Sequence, residues 1–483
     1  MNPLNHYAPR NVFDFFKQIC SIPHGSGNTD KIADFCVEFA KRRNLRYLRD
    51  RANNVILFKD ASSGYENAPT IILQGHLDMV CAKTPDNPID MTTSGLQIVA
   101  EGDWIHAVGT SLGGDNGIAV AMALSILDDN TLAHPPLEIV LTTDEETGMD
   151  GAFALDPTPL CGRRMLNLDS EEEGILTVSC AGGLRAEGIL PIYRCTANGV
   201  RCTVTVHGLL GGHSGVEIHK GRGNAIQLLG RVLYALRKKS EFAILGLNGG
   251  VVDNAIPLEA RAEILISADA VTAFERVVQQ YDAIFKTEYA STDPAVTLTW
   301  KAQETACFSV ADLQSTDRIL FILVTAPYGV QVMSPDIPDL VQTSLNFGVL
   351  RLTDSALHAT FSVRSSIESQ KEMLRDRLIC LFEGVGGTVS CNSEYPGWAY
   401  RKDSPLRDVV IHSYRTLFDA EPQVVAIHAG LECGLFSNKL PGLDCVSIGP
   451  NMKDIHTVNE RLSISSTART YQLVLEILKN CRS

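Results

Sequence analysis

Hydrophobic and polar residues follow two different periods along the chain, and the dominant period changes near Leu190. Before that point, apolar residues at helical spacing predict helix within residues 12–42, and a run of small apolar residues predicts a buried helix at 117–127. Short runs rich in Val, Ile and Leu predict strands at 54–58, 70–74, 137–142 and 164–168. Strands that alternate with helices in this way predict an α/β unit with a largely parallel sheet.

Beyond Leu190 the pattern favours strands with one solvated face. Residues 200–206 and 261–266 alternate apolar and polar positions, and an amphipathic helical pattern spans 223–238 between them. A further strand and helix are predicted at 360–364 and 372–382. A sheet with one solvated face and helices on the other is typical of an α+β unit.

After Pro396 the chain returns to a predicted helix, strand and helix, at 405–417, 445–448 and 467–479. We therefore predict one α/β domain that is divided around an inserted α+β domain. The predicted bounds are 1–189 and 395–483 for the divided domain and 190–394 for the insertion.

The composition excludes several functional classes. The chain has 483 residues, 45% of them hydrophobic, which is enough for two or three folded domains and excludes a disordered chain. Lys and Arg number 42 and Asp and Glu 56, so the net charge of −14 argues against nucleic acid or an anionic membrane as a partner. No apolar stretch reaches the roughly 20 residues of a membrane span. The first residues also lack the pattern of a signal peptide.

The 13 cysteines are scattered along the chain and form no CxxC pair. This odd number and irregular spacing predict reduced thiols in a cytoplasmic protein rather than a disulfide framework. They also argue against a zinc site built from thiolates.

The first candidate for chemistry is His76-Leu-Asp78, which follows the predicted strand 70–74. Alternate residues of an extended segment point the same way, so both side chains can face one site. A metal-binding imidazole commonly has its other ring nitrogen held by an acceptor, often a carboxylate. The alternative is a pair of solvated polar residues at the end of a strand.

Acidic residues form three further candidates. Asp115 stands in a glycine-rich segment at the entrance of the helix 117–127, where an ordinary N-cap is the alternative. Two other groups directly follow predicted strands, namely Asp144-Glu145-Glu146 and Asp169. A solvated acidic turn is the alternative for the first of these groups, and we predict such a turn for Glu171–Glu173.

The last candidate is His456, shortly after the predicted strand 445–448. In open α/β sheets, ligands bind at the carboxyl ends of the strands, where all of these candidates except Asp115 follow a strand. Carboxylates and imidazoles suit Zn²⁺, Mn²⁺ or Co²⁺, and the set is large enough for two ions. Of the adjacent Glu145 and Glu146, one can bind a metal while the other takes a proton from water.

The His-x-Asp, Gly-x-Asp-Asn-Gly, Asp-Glu-Glu and late His clusters resemble those of the M20 metallopeptidases. Longer strings are similar to those of the aminoacyl-histidine (Xaa-His) dipeptidases of that family, a group also called peptidase D or carnosinase. They are GHLDMV (75–80), DSEEEG (169–174), GGHSG (211–215), NAIP (254–257) and HAGLECGLF (428–436). The resemblance covers essentially the whole chain. It implies a zinc-exopeptidase-like catalytic domain, with a mixed, mainly parallel sheet flanked by helices, and an inserted α+β lid domain.

The resemblance also implies the metal site. One metal ion would be bound by His76, Asp115 and Asp169. The second would be bound by Asp115, Glu146 and His456, so that Asp115 bridges the two. The implied ions are zinc first, with cobalt or manganese as alternatives. Asp78 would orient His76, and Glu145 would be the general base that activates a water between the metals. A cis peptide bond after the bridging residue, at Asp115-Asn116, is a further expectation.

For the inserted domain, the resemblance implies a lid that also forms a homodimer contact. His213 would polarise the scissile carbonyl, and its alternative is a structural loop histidine capped by Ser214. Asn254, Arg364 and Gly430 would contact the C-terminal end of the substrate. An Arg side chain suits a terminal carboxylate because its two nitrogens can bond both oxygens.

The implied activity is that of a cytoplasmic dipeptidase with two metal ions, which cleaves Xaa-His and other unhindered dipeptides. An alternative is another M20-type enzyme, either a di- or tripeptidase or an N-acyl amino acid amidohydrolase. A homologue without activity, acting as a scaffold, would lack at least one implied ligand. None of the ligands is missing from this sequence, and Glu145 is present.

Overall fold

The chain forms two compact units in the computed structural model, which describes Leu4 and residues 6–482. The first unit comprises Met1–Ser179, Tyr400–Ala426 and Leu431–Ser483, and the second comprises Cys180–Ala399 and Ile427–Gly430. The chain therefore passes from the first unit to the second at Cys180 and back to the first at Tyr400, and the segment Ile427–Gly430 belongs to the second unit again. The assignment of these units as a catalytic domain and a lid stays a prediction.

The strands are numbered in chain order. They are β1 (Arg46–Arg49), β2 (Val55–Lys59), β3 (Ile71–His76), β4 (Ile98–Glu101), β5 (Trp104–Ala107), β6 (Leu137–Thr142), β7 (Arg164–Asn167), β8 (Ile175–Cys180), β9 (Gly182–Pro191), β10 (Arg194–His207), β11 (Gly212–His213), β12 (Ala243–Gly249), β13 (Ala255–Ile256), β14 (Ala260–Ile266), β15 (Thr297–Ala311), β16 (Gly329–Met333), β17 (Val341–Leu352), β18 (Ala356–Ser365), β19 (Thr388–Tyr395), β20 (Gln423–Ile427), β21 (Asp444–Ser447), β22 (Met452–Lys453) and β23 (Arg461–Ser463).

The helices are numbered in the same way. They are α1 (Arg10–Cys20), α2 (Asp30–Arg42), α3 (Gly114–Asp128), α4 (Asp150–Ala154), α5 (Ala225–Arg237), α6 (Val271–Glu288), α7 (Leu313–Thr325), α8 (Glu368–Glu383), α9 (Pro405–Phe418), α10 (Glu432–Lys439) and α11 (Ile464–Asn480). Short 3₁₀ helices lie at Ile218–Lys220 and Ala268–Ala270.

The main sheet of the first unit has the order β1-β2-β6-β3-β7-β21-β8-β20. Its four central strands, β6, β3, β7 and β21, are parallel, whereas β1, β2 and β8 pair antiparallel with their neighbours. The sheet is thus mixed, with its parallel part confined to the centre. Strands β3 and β6 are buried throughout, as expected for parallel strands covered on both faces.

The central parallel strands determine where the candidate residues lie. Strand β3 ends at His76, β6 at Thr142, β7 at Asn167 and β21 at Ser447. Neighbouring parallel strands end at the same edge of a sheet, so the segments that follow them emerge side by side. Helix α3 is buried along nearly its whole length and packs against α1.

The second unit is built on a sheet with the order β15-β10-β14-β12-β17-β18-β9-β19, and β16 also pairs with β17. All of its pairings are antiparallel. Helices α5, α6 and α8 contact the sheet, and α7 packs on α5. One hydrophobic core joins these helices to the inward residues of the strands. Separately, β11 and β13 form a small antiparallel pair that places His213 opposite Ala255.

The predicted α/β and α+β characters of the two units are confirmed, but the predicted helix within residues 12–42 is two helices. Helix α1 ends at Cys20 and α2 begins at Asp30. Pro23 has no N–H to donate, and Gly27 takes a positive φ of 76°, so this segment leaves the helical path. The break brings Gly25 into a bridge with Met79, beside the segment that follows β3.

Among the described residues, no helix combines the length and the hydrophobicity that a membrane span requires.

Candidate metal centre

His76 is the last residue of β3 and is completely buried, with 1% of its side chain exposed. Its Nδ1 lies 3.0 Å from the backbone carbonyl of Asp78 and 3.4 Å from the Asp78 carboxylate. The nearer acceptor for this ring nitrogen is therefore the carbonyl. With Nδ1 held in this way, Nε2 is the nitrogen that faces the other candidate residues.

The carboxylate of Asp78 has a second task that its spacing from His76 did not reveal. It accepts hydrogen bonds from the hydroxyl of Ser26 at 2.8 Å and from the backbone N–H of Glu145 at 3.1 Å. The N–H of Glu146 lies 3.4 Å from Oδ2 of Asp78, the oxygen that also accepts from Ser26. Asp78 therefore orients the turn that carries both glutamates, in addition to flanking His76.

Asp115 lies between the two candidate histidines. One carboxylate oxygen is 3.2 Å from Nε2 of His76, and the other is 3.2 Å from Nε2 of His456. Asp115 and Asn116 have non-helical backbone angles within α3, and the peptide bond between them is cis. The regular part of α3 therefore begins at Gly117, and the Asp115 carboxylate faces the histidines rather than capping the helix.

Asn116 supports this arrangement from the other side of the cis peptide. Its side-chain oxygen accepts the backbone N–H of His76 at 3.2 Å, and its amide donates to the carbonyl of Leu168 at 2.8 Å. Asn116 is fully buried. It therefore ties the end of β3 to the segment that follows β7.

Glu146 and Asp169 complete two groups of three residues. Asp169 has a carboxylate oxygen 3.4 Å from Nε2 of His76, and Glu146 has one 3.0 Å from Nε2 of His456. One group is thus His76, Asp115 and Asp169, and the other is Asp115, Glu146 and His456. Asp115 belongs to both groups, through a different oxygen in each.

The donor set fits divalent metal ions. Ligand atoms of His76, Asp115 and Glu146 all lie within 4.8 Å of one another. The second oxygen of Glu146 is buried and has no hydrogen-bond partner within the described residues, as expected of an atom that awaits a cation. Imidazole nitrogens and carboxylate oxygens are ligands that Zn²⁺, Mn²⁺ and Co²⁺ accept.

The charges of the site also require a cation. Burial raises the pKa of Glu145 to about 9, and neighbouring carboxylates, including Asp169, add to the rise. Burial likewise raises the pKa of Asp169 to about 6. Hydrogen bonds to Asp115 and Glu146 raise the pKa of His456 to about 10. Without bound cations, Glu145 and His456 therefore hold protons at pH 7, and bound divalent ions would take over the positive charge that these protons supply.

Glu145 takes no part in either group of three. Its backbone is held by Asp78, and its largely buried carboxyl group is close enough to His76 and Asp169 to respond to their charges. A carboxyl group that stands beside ligands without being one can move protons to and from a bound water. In the structure, Glu146 therefore belongs to a group of candidate metal ligands, and Glu145 does not.

In the second unit, His213 is held by its own loop. Its Nδ1 accepts the backbone N–H groups of Gly215 at 3.2 Å and Val216 at 3.3 Å. Burial, together with the charge of Arg364, lowers the pKa of His213, so the ring is neutral at pH 7. Because Nδ1 is an acceptor, the proton of the neutral ring is on Nε2. Ser214, the expected cap, has a buried hydroxyl without a hydrogen-bond partner among the described residues.

Asn254 lies next to this loop. Its backbone carbonyl accepts the N–H of Ser214 at 2.8 Å, and Asn254 itself is exposed. A Cβ atom added to Gly215 would lie 2.6 Å from the carbonyl oxygen of His428. The loop of His213 is thus in close contact with the segment Ile427–Gly430.

Arg364 and Gly430 meet at Tyr395. The guanidinium of Arg364 donates to the Tyr395 hydroxyl at 3.2 Å, and its buried Nε has no hydrogen-bond partner within the described chain. A Cβ atom on Gly430 would lie 2.8 Å from the Tyr395 ring. On the neighbouring strand, Ser344 bonds Nε2 of His428 at 2.7 Å. The four predicted substrate contacts therefore lie in one connected part of the second unit.

Sequence reasoning assigned no role to two buried glutamates of the first unit. Glu432 accepts hydrogen bonds from the side chains of Gln74 and Thr142, which precede His76 and Asp144 on their strands. Glu460 accepts hydrogen bonds from four consecutive backbone N–H groups at the start of α3. No local pattern in the sequence distinguished these two residues from other acidic residues.

The predicted solvated turn is present at Glu171 and Glu172, which are exposed, and only Glu173 departs from it. Glu173 pairs with Arg469 through two hydrogen bonds of 2.5 and 2.7 Å. Arg469 lies almost 300 positions later in the chain, so no local pattern could have shown this pair.

Comparisons with known proteins identify the family of this chain. Residues 72–480 match the model of peptidase family M20/M25/M40. The chain is 38% identical to the cytosol non-specific dipeptidase of Escherichia coli K12 over 99% of both chains. Its structure is similar to the crystal structure of aminoacylhistidine dipeptidase from Vibrio alginolyticus, with a TM-score of 0.95 and 34% identity. That match covers 99% of this chain and 97% of the other.

The aminopeptidase PepT of Bacillus cereus shares the fold, with a TM-score of 0.58 and 15% identity over 99% of this chain and 100% of that one. The predicted family and fold class are therefore confirmed. The chain belongs to peptidase family M20/M25/M40 and is a metal-dependent hydrolase that acts on peptide bonds.

Proposed function

We propose that this chain is a cytoplasmic dipeptidase that hydrolyses Xaa-His and other unhindered dipeptides with the help of two divalent ions, zinc first among them. The observation that carries the proposal is the pair of three-residue groups sharing Asp115, with Glu145 beside both and part of neither. The proposed assembly is a homodimer that forms through the second unit. The proposal includes neither nucleic acid nor a membrane as a partner.

The residues of the first unit divide the work of hydrolysis. His76, Asp115 and Asp169 would hold one ion, and Asp115, Glu146 and His456 the other. When bound, two such ions would polarise the scissile carbonyl and make a water molecule more acidic. Asp78 fixes the backbone of the turn in which Glu145 and Glu146 are adjacent. This would let Glu146 bind an ion while Glu145 transfers protons.

Glu145 moves the proton. It takes one proton from the attacking water while the water oxygen forms a bond to the carbonyl carbon. It then gives this proton to the amide nitrogen as the C–N bond breaks, and so returns to its starting state. The second proton of the water leaves when the new carboxyl group ionises, and the released amine takes it up.

The residues of the second unit would bind and orient the substrate. His213 would donate from Nε2 to the carbonyl oxygen, on which negative charge develops during attack. Arg364, whose Nε has no hydrogen-bond partner among the residues that the structure describes, would bind the terminal carboxylate, with Asn254 and Gly430 beside it. A Cβ at residue 430 would collide with Tyr395, so Gly430 lets the Tyr395 ring lie where its hydroxyl accepts from Arg364.

Two properties of known relatives support the proposal. The E. coli protein is named as a non-specific dipeptidase of the cytosol, and the Vibrio protein as an aminoacylhistidine dipeptidase. These names agree on dipeptides and differ on the breadth of specificity. Preference for a C-terminal His is therefore the part of the proposal that an assay must decide first.

The test is hydrolysis of Gly-His, β-Ala-His, Gly-Leu, the tripeptide Gly-Gly-His and N-acetyl-His by the purified protein, before chelation, after chelation and after the return of zinc. We expect cleavage of the dipeptides, its loss on chelation and its recovery with zinc. Cleavage of N-acetyl-His alone would replace the proposal with an amidohydrolase, and cleavage of longer peptides at equal rates with a broader peptidase. Bound metal without cleavage of any of these substrates would contradict all three of these activities.

Glu145→Gln tests the proton carrier, and Glu172→Gln is the matched control, because Glu172 is an exposed glutamate in the same unit. We expect Glu145→Gln to retain both ions and to lose about 10²–10⁴-fold in kcat. Glu172→Gln should behave like the wild type. Wild-type turnover by Glu145→Gln would remove Glu145 from the mechanism.

A further inference from the structure

Glu460 is a buried carboxylate that no step of the proposed reaction uses. Only 3% of the residue is exposed. One of its oxygens accepts the backbone N–H groups of Leu112 at 2.7 Å and Gly113 at 3.0 Å. The other accepts those of Gly114 at 2.8 Å and Asp115 at 3.3 Å. Both oxygens are thus fully engaged by a single stretch of backbone.

These four N–H groups belong to the irregular turn that leads into α3. Gly113 has a positive φ of 66°, and Asp115 and Asn116 depart from helical angles. N–H groups at the start of a helix have no carbonyl partner within the helix, so an outside acceptor must satisfy them. Glu460 is that acceptor, and the turn it satisfies ends at the one residue that belongs to both three-residue groups.

Glu460 also belongs to the segment that carries the late histidine. It follows His456 by four residues, and its own N–H bonds the carbonyl of Thr457 at 3.3 Å. His456 has a positive φ of 61°, so this turn is as irregular as the one before α3. One side chain therefore joins the turn of Asp115 to the turn of His456, although the two are 341 positions apart in the chain.

We propose that Glu460 is a positioning residue of the metal centre: it holds the backbone of Asp115 so that each carboxylate oxygen faces a different histidine. This inference rests on the proposed function, because it assigns a purpose to the geometry of the proposed ligands. Outer partners of metal ligands typically change metal affinity by about 10–100-fold when they are replaced.

A second buried carboxylate with similar chemistry provides a control. Glu138 is 4% exposed and accepts the N–H groups of Cys161 at 2.8 Å and Gly162 at 3.0 Å. It lies near the amino end of β6, whereas the candidate ligands follow the carboxyl end of that strand. Loss of its charge should affect the stability of the unit without affecting the metal ligands.

The experiment compares Glu460→Gln with Glu138→Gln. The amide of Gln replaces one acceptor oxygen by a donor. Two of the four backbone N–H groups at residues 112–115 therefore lose their partner. Metal-free protein is titrated with Co²⁺ while its visible absorption is recorded, and zinc affinity is measured by competition with a chelator. Thermal unfolding of the metal-free proteins gives the structural effect separately.

We expect Glu460→Gln to bind zinc about 10–100-fold more weakly and to give an altered Co²⁺ spectrum. Glu138→Gln should lose thermal stability but keep the wild-type affinity and spectrum. Wild-type affinity and spectrum in Glu460→Gln would reduce Glu460 to an ordinary helix cap and overturn the inference. Equal losses of affinity in both variants would overturn it too.

If Glu460→Gln does not fold, Glu460→Asp decides the question. The shorter side chain keeps the charge but cannot reach all four N–H groups, so it should weaken zinc binding and change the Co²⁺ spectrum to a smaller extent. Unchanged binding in Glu460→Asp would count against positioning. The metal measurements need no turnover, so a wild-type protein that binds two ions and cleaves no dipeptide would refute the proposed function alone. A wild-type protein that binds no ion would refute both.

Discussion

Replacement of His213 by Asn separates two tasks that the imidazole performs. Nδ1 accepts the backbone N–H groups of Gly215 and Val216, at 3.2 and 3.3 Å, and Nε2 carries the proton of the neutral ring. The side-chain oxygen of Asn stands at the same number of bonds from Cα as Nδ1. It can accept both N–H groups, whereas nothing in Asn replaces the donor at Nε2.

The expected loss follows from the missing donor. Removal of one hydrogen-bond donor from a developing oxyanion costs about 10²–10³-fold in kcat, or about 2.7–4 kcal/mol. His213→Ala removes the donor and also leaves both backbone N–H groups without this acceptor. Gly215 is buried, so its N–H should cost about 1–3 kcal/mol of stability when unsatisfied. The two variants should therefore have similar kcat values and different melting temperatures.

The assay is steady-state hydrolysis of a cleaved dipeptide, with metal content and thermal unfolding measured on the same preparations. We expect His213→Asn to retain the metal content and the melting temperature of the wild type, with kcat reduced by about 10²–10³-fold. A kcat within tenfold of the wild type would show that Nε2 is not the donor. Loss of bound metal in this variant would instead make His213 a ligand.

Four further outcomes are expected. Chelation should lower the melting temperature, and added zinc should raise it with concentration, since ions that bind only the folded protein stabilise it; a concentration-independent melting temperature would contradict the metal centre. Burial raises the pKa of Glu432 from 4.5 to about 7. Between these two pH values this residue ionises in the unfolded chain but not in the folded, metal-free protein. The free energy of unfolding should therefore fall by about 3 kcal/mol as the pH rises through this interval. Glu432→Gln should remove that loss in urea unfolding at pH 5 and pH 8, and an unchanged pH dependence would refute the assignment. Arg364→Lys should raise KM for dipeptides more than it lowers kcat, because one ammonium cannot replace the planar pair of donors; an unchanged KM would remove Arg364 from carboxylate binding. Asp78→Ala should lower kcat more than zinc affinity, because it frees the N–H of Glu145 while the carbonyl of residue 78 still holds His76; a fall in zinc affinity alone would show that the carboxylate acts on His76.

Several parts of the structure could be predicted because they depend on local periodicity. The buried strands β3 and β6 and the helix after Asp115 each have an uninterrupted apolar pattern. Parallel strands end at one edge of a sheet, so the residues after β3, β6 and β7 could be expected to meet. The polar residues after the apolar runs therefore indicated a cluster of His76, Asp169 and the pair Glu145-Glu146, whereas the assignment of Glu146 as the ligand came from the family resemblance.

Other features were decided only by tertiary contacts. Whether Asp115 caps a helix or faces two histidines depends on contacts with His76 and with His456, which comes from a distant segment. The segment between α1 and α2, whose position the helical spacing within residues 12–42 did not indicate, places Ser26 against Asp78. Glu432 and Glu460 looked like any other acidic residues until their buried partners were known.

The difference has a physical reason. Apolar periodicity is a property of neighbouring residues, and it determines helices, strands and the edge of the sheet at which their polar ends collect. The orientation of each ligand depends instead on hydrogen bonds between segments that are far apart in the chain, such as those from Glu460 to the turn of Asp115. The sequence by itself determined which residues could bind metal, and only the folded structure decided which atoms face one another and what holds them there.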